Sequence, residues 1–249
     1  MPSAVRSRGE GGFGDGLLTL SRFPAVSAGS QAYLHRPTRY FVDGEALARK
    51  GWTLARLTTP AGELDVYNTH LTARYSFASF ETVRLAQAVE LAEAVLSRSA
   101  GRPFILLGDL NMLPDYEGAS ALRDLLGLRD LCLDGGADAC GDTAPEGRID
   151  HVWVPASWKG IRIARSLRGS ADRTPGGLAY SDHCALEAEV EVPAAAPAAP
   201  LVRRLEALDR LDAALRAAAR DPKWGETAAS ALARIPKLRA SLGTIETRR

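Results

Sequence analysis

Four short segments of the sequence carry residue types that hydrolytic enzymes use, and each is predicted to lie at the C-terminal end of a buried strand. They supply histidines, aspartates and asparagines, which can bind a divalent metal, orient a water molecule and stabilise a pentavalent phosphorus. Taken singly, each has a structural explanation, such as an aspartate that shapes a turn or pairs with a neighbouring arginine. Their joint occurrence in one order predicts a single hydrolytic site. The segments are Asn68-Thr69-His70-Leu71, Gly108-Asp109-Leu110-Asn111, Arg148-Ile149-Asp150-His151 and Ser181-Asp182-His183.

Strands and helices must alternate along the chain to position these segments. Strands are predicted at 17–20, 52–58, 64–70, 104–107, 149–154, 161–167 and 186–192, and the turn at 60–62 predicts a hairpin. Residues 80–96 have the 3.6-residue spacing of an amphipathic helix, with Val83, Ala86, Val89 and Leu96 among its apolar positions. If the strand at 104–107 continues, Asp109 and Asn111 point to the same side.

A stretch of alanines and prolines at 193–200 divides the chain. We predict a hydrolase domain at 1–192 and a helical tail at 201–249. In the tail, leucines recur at helical spacing from Leu201 to Leu215, Asp221-Pro222 is expected to begin a second helix, and Pro236 to kink or end it. The tail could dock on its own domain or on a partner, or lie on a membrane surface.

Composition excludes several classes of protein. The chain has 249 residues, 46% hydrophobic and 24% charged, which is typical of a packed globular protein rather than a disordered one. The tail has 11 Lys/Arg against 6 Asp/Glu, whereas the first 200 residues have 20 against 24. The acidic balance of the main domain makes a nucleic acid the less expected partner.

No signal peptide is visible, so the cytoplasm is the default expectation, with the compartment left open. Three cysteines are by default reduced thiols, although Cys132 and Cys140 could bridge in an oxidising compartment.

The order NTHL, GDLN, RID, SDH resembles the endonuclease/exonuclease/phosphatase superfamily over about residues 14–192. The resemblance implies an α/β (α+β) fold, a four-layer sandwich with two central sheets between helices. A finer resemblance, to the neutral sphingomyelinases, rests on positions beyond the four segments. Among them are Ala73, Tyr75, Arg84, Gln87, Glu90, Met112, Pro114, Gly118, Leu125, Gly127 and Asp130.

The resemblance also implies a role for each site residue. His183 matches the general base that activates water, and Asp150 the carboxylate that orients it. Asp109 matches a residue that positions the nucleophile and contributes to the metal site, and Asp182 a metal-proximal carboxylate. The implied cofactor is Mg²⁺ or Mn²⁺. His70 is expected to donate to the developing phosphorane charge, whereas Asn68, Tyr75 and Asn111 are expected to bind substrate.

The start of the sequence departs from the family pattern. In the superfamily, a first-strand asparagine and a metal-binding glutamate lie upstream of the segment that residues 16–24 resemble. Glu10 occupies a loop position and is not assigned as a ligand. We therefore expect an incomplete sandwich that has little activity unless the upstream metal ligands are present, and expect the sequence to be a fragment of a longer enzyme rather than a truncated, metal-poor relative.

Together these features predict a Mg²⁺-dependent phosphodiester hydrolase acting on a sphingomyelin-like phospholipid. Two alternatives stay open. One is a nuclease of the same superfamily, and the other is a catalytically inactive relative that binds phosphorylated or lipid ligands.

Overall fold

The structure of the protein is a computed structural model. It describes residues 3–6, 16–37, 48–75, 80–134, 139–158, 162–166, 170–193 and 199–247. The strands within these residues are β1 (Ser3–Arg6), β2 (Leu18–Ser21), β3 (Ala25–Ala32), β4 (Gly51–Thr59), β5 (Gly62–His70), β6 (Phe104–Asp109), β7 (Leu128–Asp130), β8 (Asp150–Pro155), β9 (Arg162–Ser166) and β10 (Ala185–Glu189).

Six of these strands form the main sheet, in the order β3-β4-β5-β6-β8-β7. The β5–β6 pair is parallel and its other pairs are antiparallel. The predicted hairpin is β4–β5, turning at 60–61 between Thr59 and Gly62. Because α1 (Glu81–Arg98) connects β5 to β6, the carboxyl ends of these two strands meet at one edge of the sheet.

Two small antiparallel sheets, β1–β2 and β9–β10, supply further strands beside the main sheet. Val5 of β1 and Ile163 of β9 belong to a hydrophobic cluster with apolar residues from one face of the main sheet. The predicted strand at 186–192 ends at Glu189, and Ala188, expected on its buried side, is exposed. A sheet of only two strands covers too little of that side to bury it.

Helices cover the opposite face of the main sheet. The four apolar positions predicted for α1 are all buried. Beside α1 lies α2 (Glu117–Leu126), which ends at Gly127 with a φ of 70°. A Cβ at Gly127 would come within 2.6 Å of Ala199, so both the backbone conformation and the close approach of the linker favour glycine there. The mixed α/β class of the fold is thus confirmed, with a helical C-terminal tail.

The tail forms three helices, α3 (Leu201–Ala218), α4 (Gly225–Leu232) and α5 (Ile235–Thr247). The predicted helix start at Asp221-Pro222 was wrong by three residues, because Asp221 accepts backbone hydrogen bonds in the turn before α4. Pro236 lies in the first turn of α5, where its missing N–H costs nothing, so it begins a third helix instead of kinking the second.

The apolar stripe of the tail joins the core of the main domain. Leu208, Leu211 and Leu215 are fully buried in the same cluster as the apolar residues of α1 and α2. Arg210 pairs with Asp124 of α2 at 2.7 Å. A contact of the tail with a membrane surface would therefore depend on its exposed charged face, and it stays a prediction, as does the boundary at 193–200.

Cys132 and Cys140 form a disulfide with a Cα–Cα distance of 5.4 Å, so the default interpretation of three reduced thiols was wrong for this pair. Cys184 is a free thiol. Among the helices of the described residues, none combines the length and the hydropathy that a bilayer-spanning segment requires.

Candidate active site

Alternation along three neighbouring strands places polar side chains on one face of the main sheet. In β5, the apolar residues that face the small sheets are followed at two-residue intervals by Asn68 and His70. The strand register pairs His70 with Asp109 of β6, and Asp109 with Asp150 of β8. The face opposite the helices therefore presents an amide, an imidazole and two carboxylates at adjacent positions.

His183 reaches this group from the segment before β10. Because Asp150 begins β8 and His183 precedes β10, the prediction that each segment lies at the C-terminal end of a strand was wrong for these two. Its Nδ1–H donates to Oδ2 of Asp150 at 2.7 Å, and its backbone N–H donates to Oγ of Ser181 at 3.0 Å. The hydrogen bond to Asp150 raises the pKa of His183 to about 9 against the opposing effect of burial, and the charges of Asp109 and Asp182 add to the rise. With Nδ1 engaged, Nε2 is the nitrogen that can accept a proton.

His70 lies between a cation and an anion. Its Nε2 is 2.7 Å from Nζ of Lys50 and 3.2 Å from Oδ2 of Asp109. Nζ of Lys50 and Oδ2 of Asp109 therefore compete for this one nitrogen, which can accept from the lysine or donate to the carboxylate but cannot do both at once. The pKa of Asp109 is below its usual range, because the contact with His70 and the N–H of Asn111 outweigh the effect of burial.

The turn after β6 sets the position of Asn111. The strand ends at Asp109, whose Oδ1 accepts the N–H of Asn111 at 2.7 Å, and Asn111 has a φ of 50°. The strand therefore does not continue to Asn111, and the condition under which both side chains would point to the same side is not met. Asparagine tolerates this left-handed conformation, and its Nδ2 donates to the carbonyl of Leu71 at 3.0 Å. The amide is thus tied to the loop that follows His70.

Gly108 allows the strands that carry these residues to approach. It has a φ of 134°, and a Cβ there would lie 2.0 Å from the carbonyl oxygen of Thr69 on β5. No other residue fits without moving one of the two strands. The glycine of the GDLN segment therefore holds Asp109 close to His70.

Three polar side chains of α1 fix the loops around the site. Gln87 binds the loop after β5 through the N–H and the hydroxyl of Thr72, at 2.9 and 2.8 Å. Arg84 donates to the carbonyl of Thr72 at 3.2 Å. Glu90 holds His35 after β3, with a contact of 2.6 Å to its Nδ1. These positions, which carried part of the sphingomyelinase resemblance, thus have a structural role.

A second buried network lies beneath Asp150. Asp130 accepts from Arg148 at 3.0 Å and from the ring N–H of Trp153 at 3.0 Å, and it also contacts Nδ1 of His151 at 3.1 Å. Burial raises the pKa of Asp130, but the contacts with His151 and Arg148 outweigh it and bring the pKa to about 2. Arg148 therefore has Asp130 as its carboxylate partner, while Asp150 pairs with His183.

Three predicted site residues occupy more peripheral positions. Asp182 is exposed beside His183, where its charge contributes to the raised pKa of that histidine. Tyr75 packs in a separate hydrophobic cluster with Phe80, at a ring distance of 6.3 Å, and with Trp224 of the tail. Asn68 donates weakly to the carbonyl of Leu18, at 3.4 Å. The roles assigned to all three stay predictions.

Comparison with known proteins identifies the family of the chain. Residues 2–183 match the sequence model of the Endonuclease/Exonuclease/phosphatase family. The chain belongs to this family. Sphingomyelin phosphodiesterase 2 of Rattus norvegicus is 32% identical over 200 residues, which cover 70% of this chain and 47% of the relative. The protein of the same name from Mus musculus is 30% identical over 206 residues, covering 73% and 49%. The resemblance to neutral sphingomyelinases is thereby confirmed.

The chain spans about half the length of the curated relatives it matches. Among solved structures, that of SmcL matches with a TM-score of 0.56 and 14% identity, covering 76% of each chain. That of a truncated Caenorhabditis elegans TDP2 matches with a TM-score of 0.51 and 17% identity, covering 69% of this chain and 68% of the other. At these identities the likeness supports the family fold alone.

The donor set of this family member fits a divalent cation. Asp109, Asp150 and His183 each offer a ligand atom, and these atoms lie within 4.8 Å of one another. Two carboxylates beside an imidazole suit Mg²⁺ or Mn²⁺. Because Asp150 and His183 are hydrogen-bonded to each other, Asp109 is the carboxylate of this group that is available to a cation. Asp182 lies outside this group of three, and its assignment as a ligand stays a prediction.

Sequence reasoning missed two residues of the site. Lys50, at 2.7 Å from His70, directly precedes β4, and the hairpin register pairs its neighbour Gly51 with His70. Counting back from the turn at 60–62 would have found it. Thr143 contacts the backbone on both sides of the Asp150–His183 pair. It lies in a loop between elements, and no sequence spacing identifies it.

Proposed function

We propose that this domain is a metal-dependent phosphodiester hydrolase in which the His183–Asp150 pair activates a water molecule. The observation that carries the proposal is the 2.7 Å bond from Nδ1 of His183 to Asp150, made within a group that also holds Asp109 and His70. An imidazole oriented by a carboxylate is the arrangement of a general base. Its membership of the family supports the same reaction class.

In the proposed reaction, Nε2 of His183 in its unprotonated form, which becomes the main form as the pH rises through the pKa of about 9, accepts a proton from water as the water oxygen bonds to phosphorus. The P–O bond to the leaving group breaks, and the leaving oxygen takes up a proton through solvent. Lys50, His70 and Asn111 stand where they can donate to the phosphoryl oxygens as negative charge develops. A divalent cation held through Asp109 would supply further stabilisation of that charge.

For the substrate we propose a choline phospholipid of the sphingomyelin type. Support comes from the two relatives named sphingomyelin phosphodiesterase 2 and from the acidic balance of the first 200 residues. A polyanionic nucleic acid would be disfavoured by that net negative charge.

The test is release of phosphocholine from sphingomyelin in mixed micelles, with Mg²⁺, with Mn²⁺ and with EDTA. Plasmid DNA and an inositol polyphosphate serve as competing substrates, and His183→Asn as the matched inactive variant. We expect metal-dependent phosphocholine release that the variant lacks. Cleavage of DNA without lipid hydrolysis would assign the domain to the nucleases. Activity that persists in the variant would remove the His183–Asp150 pair from the mechanism.

A further inference from the structure

The two members of the catalytic pair belong to different sheets. Asp150 begins β8 in the main sheet, whereas His183 precedes β10 in the small β9–β10 sheet. Their 2.7 Å contact therefore depends on how two separate sheets are held together. General-base catalysis is sensitive to displacements of about 1 Å. A residue that bridges the backbones on both sides of the pair would control this distance.

Thr143 makes such a bridge and is 1% exposed. Its Oγ1 accepts the backbone N–H groups of Ile149 and Asp150, both at 3.2 Å. Its carbonyl oxygen accepts the N–H of Cys184 at 2.7 Å. One residue thus binds the backbone of Asp150 at one end and the backbone next to His183 at the other.

We infer that Thr143 is a positioning residue for the His183–Asp150 pair, an inference that rests on the proposed function. Thr143 acts through the backbone of its neighbours. Its hydroxyl and its carbonyl together fix the distance between the start of β8 and the segment that precedes β10. The hydroxyl is the part that a substitution can remove without changing the backbone.

The loop around Thr143 is built to keep it in place. Thr143 and Ala144 both donate N–H groups to the carbonyl of Gly147, at 3.2 and 3.1 Å, which closes a tight turn. A Cβ at Gly147 would lie 2.6 Å from the side chain of Leu113. On the other side, the disulfide at Cys140 fastens the loop three residues before Thr143. The bridge is therefore anchored at both ends.

Three variants isolate the hydroxyl. Thr143→Val replaces it with a methyl group of similar size, and Thr143→Ser keeps it while losing the methyl group. Thr53→Val is the matched control, because Thr53 is as deeply buried as Thr143 and its hydroxyl has no hydrogen-bond partner among the described residues. Each variant is first checked for folding by thermal unfolding.

Two measurements follow. In the phosphocholine assay, we expect kcat to fall roughly tenfold or more in Thr143→Val, with KM within about twofold, since the pair and not substrate binding is disturbed. In ¹H NMR spectra, we expect the low-field Nδ1–H resonance of His183, assigned by its loss in His183→Asn, to disappear in Thr143→Val. Both signals should be retained in Thr143→Ser and in Thr53→Val.

The outcomes separate the inference from the function on which it rests. A wild-type resonance in a folded Thr143→Val protein would overturn the positioning role, whatever the activity. Should Thr143→Val not fold, a loss of the resonance or of kcat in Thr143→Ser would equally overturn it, because the hydroxyl is then not what matters. A protein without phosphodiesterase activity on any substrate would refute the proposed function, while the NMR comparison would still decide the role of Thr143.

Discussion

Replacing Asp150 with asparagine is the most direct perturbation of the site. Asp150→Asn keeps the size of the side chain and one oxygen acceptor for Nδ1 of His183, but it removes the negative charge at the 2.7 Å contact. The substitution therefore tests whether the charge, and not the shape, of residue 150 sets the properties of the histidine.

The size of the effect follows from the pKa of His183. The contact with Asp150 is the largest cause of its rise from 6.5 to about 9. A shift of this size corresponds to roughly 3 kcal/mol of differential interaction. About a quarter of each side chain is exposed, 27% for His183 and 24% for Asp150, so solvent screening reduces the expected effect on folding to roughly 1–2 kcal/mol.

The pH range of this stabilisation is fixed by the direction of the shift. A raised pKa in the folded state means that the folded protein binds the proton more tightly than the unfolded chain does. The contribution of the pair is therefore fully present below about pH 6.5 and is lost as the pH rises through about 9. Asp150→Asn should destabilise the fold at pH 6 and much less at pH 9.5.

The assay combines ¹H–¹⁵N NMR titration of the histidine rings with guanidinium unfolding at these two pH values. We expect the titration midpoint of His183 to fall towards 6.5 in the variant, and the rate of hydrolysis to drop on the order of 10²–10⁴-fold. A midpoint that stays near 9, or a loss of stability equal at both pH values, would show that the contact with Asp150 does not control His183.

Three further substitutions test the surroundings of the site. Gly108→Ala should destabilise the fold by about 2–5 kcal/mol in chemical denaturation, because the added Cβ would lie 2.0 Å from the carbonyl oxygen of Thr69. The control is Gly243→Ala in α5, which should not destabilise the fold because a Cβ at Gly243 meets open space. Replacing both disulfide cysteines with serine should cost about 2.5 kcal/mol and lower Tm by roughly 5–10 °C, and wild-type protein in reducing buffer should show the same loss. Lys50→Met should reduce kcat/KM by about tenfold or more in the phosphocholine assay, and Lys50→Arg should recover part of the loss. An unchanged kcat/KM in Lys50→Met would mean that the ammonium group, which lies 2.7 Å from Nε2 of His70, does not act on the substrate.

Much of the site could be predicted from sequence because its geometry is local to strands. His70, Asp109 and Asp150 stand at the ends of apolar runs, and strand alternation decides which face each of them occupies. Once these three strands are neighbours, their side chains must meet. The same reasoning failed at Asn111, because the strand ends at Asp109, whose side chain accepts a hydrogen bond from the backbone N–H of Asn111.

Long-range polar contacts were beyond the reach of pattern reasoning. The partner of Arg148 is Asp130, 18 residues away and buried, and no periodicity connects the two. Cys132 and Cys140 lay at a spacing compatible with both thiols and a disulfide, and only their Cα–Cα distance of 5.4 Å decides between them. Such contacts depend on how the loops fold over the sheets, and local patterns of residue type and spacing do not predict that.

The tail shows how a compositional boundary and a packing boundary can differ. The alanine-proline stretch suggests a separate appendage, yet Leu208 and Leu211 are buried against the helices that support the site. Trp224 extends this contact to Phe80, at a ring distance of 5.6 Å, and Phe80 stands at the start of α1. Because α1 holds the loop after His70 through its polar side chains, the tail packs on the element that positions one half of the active site.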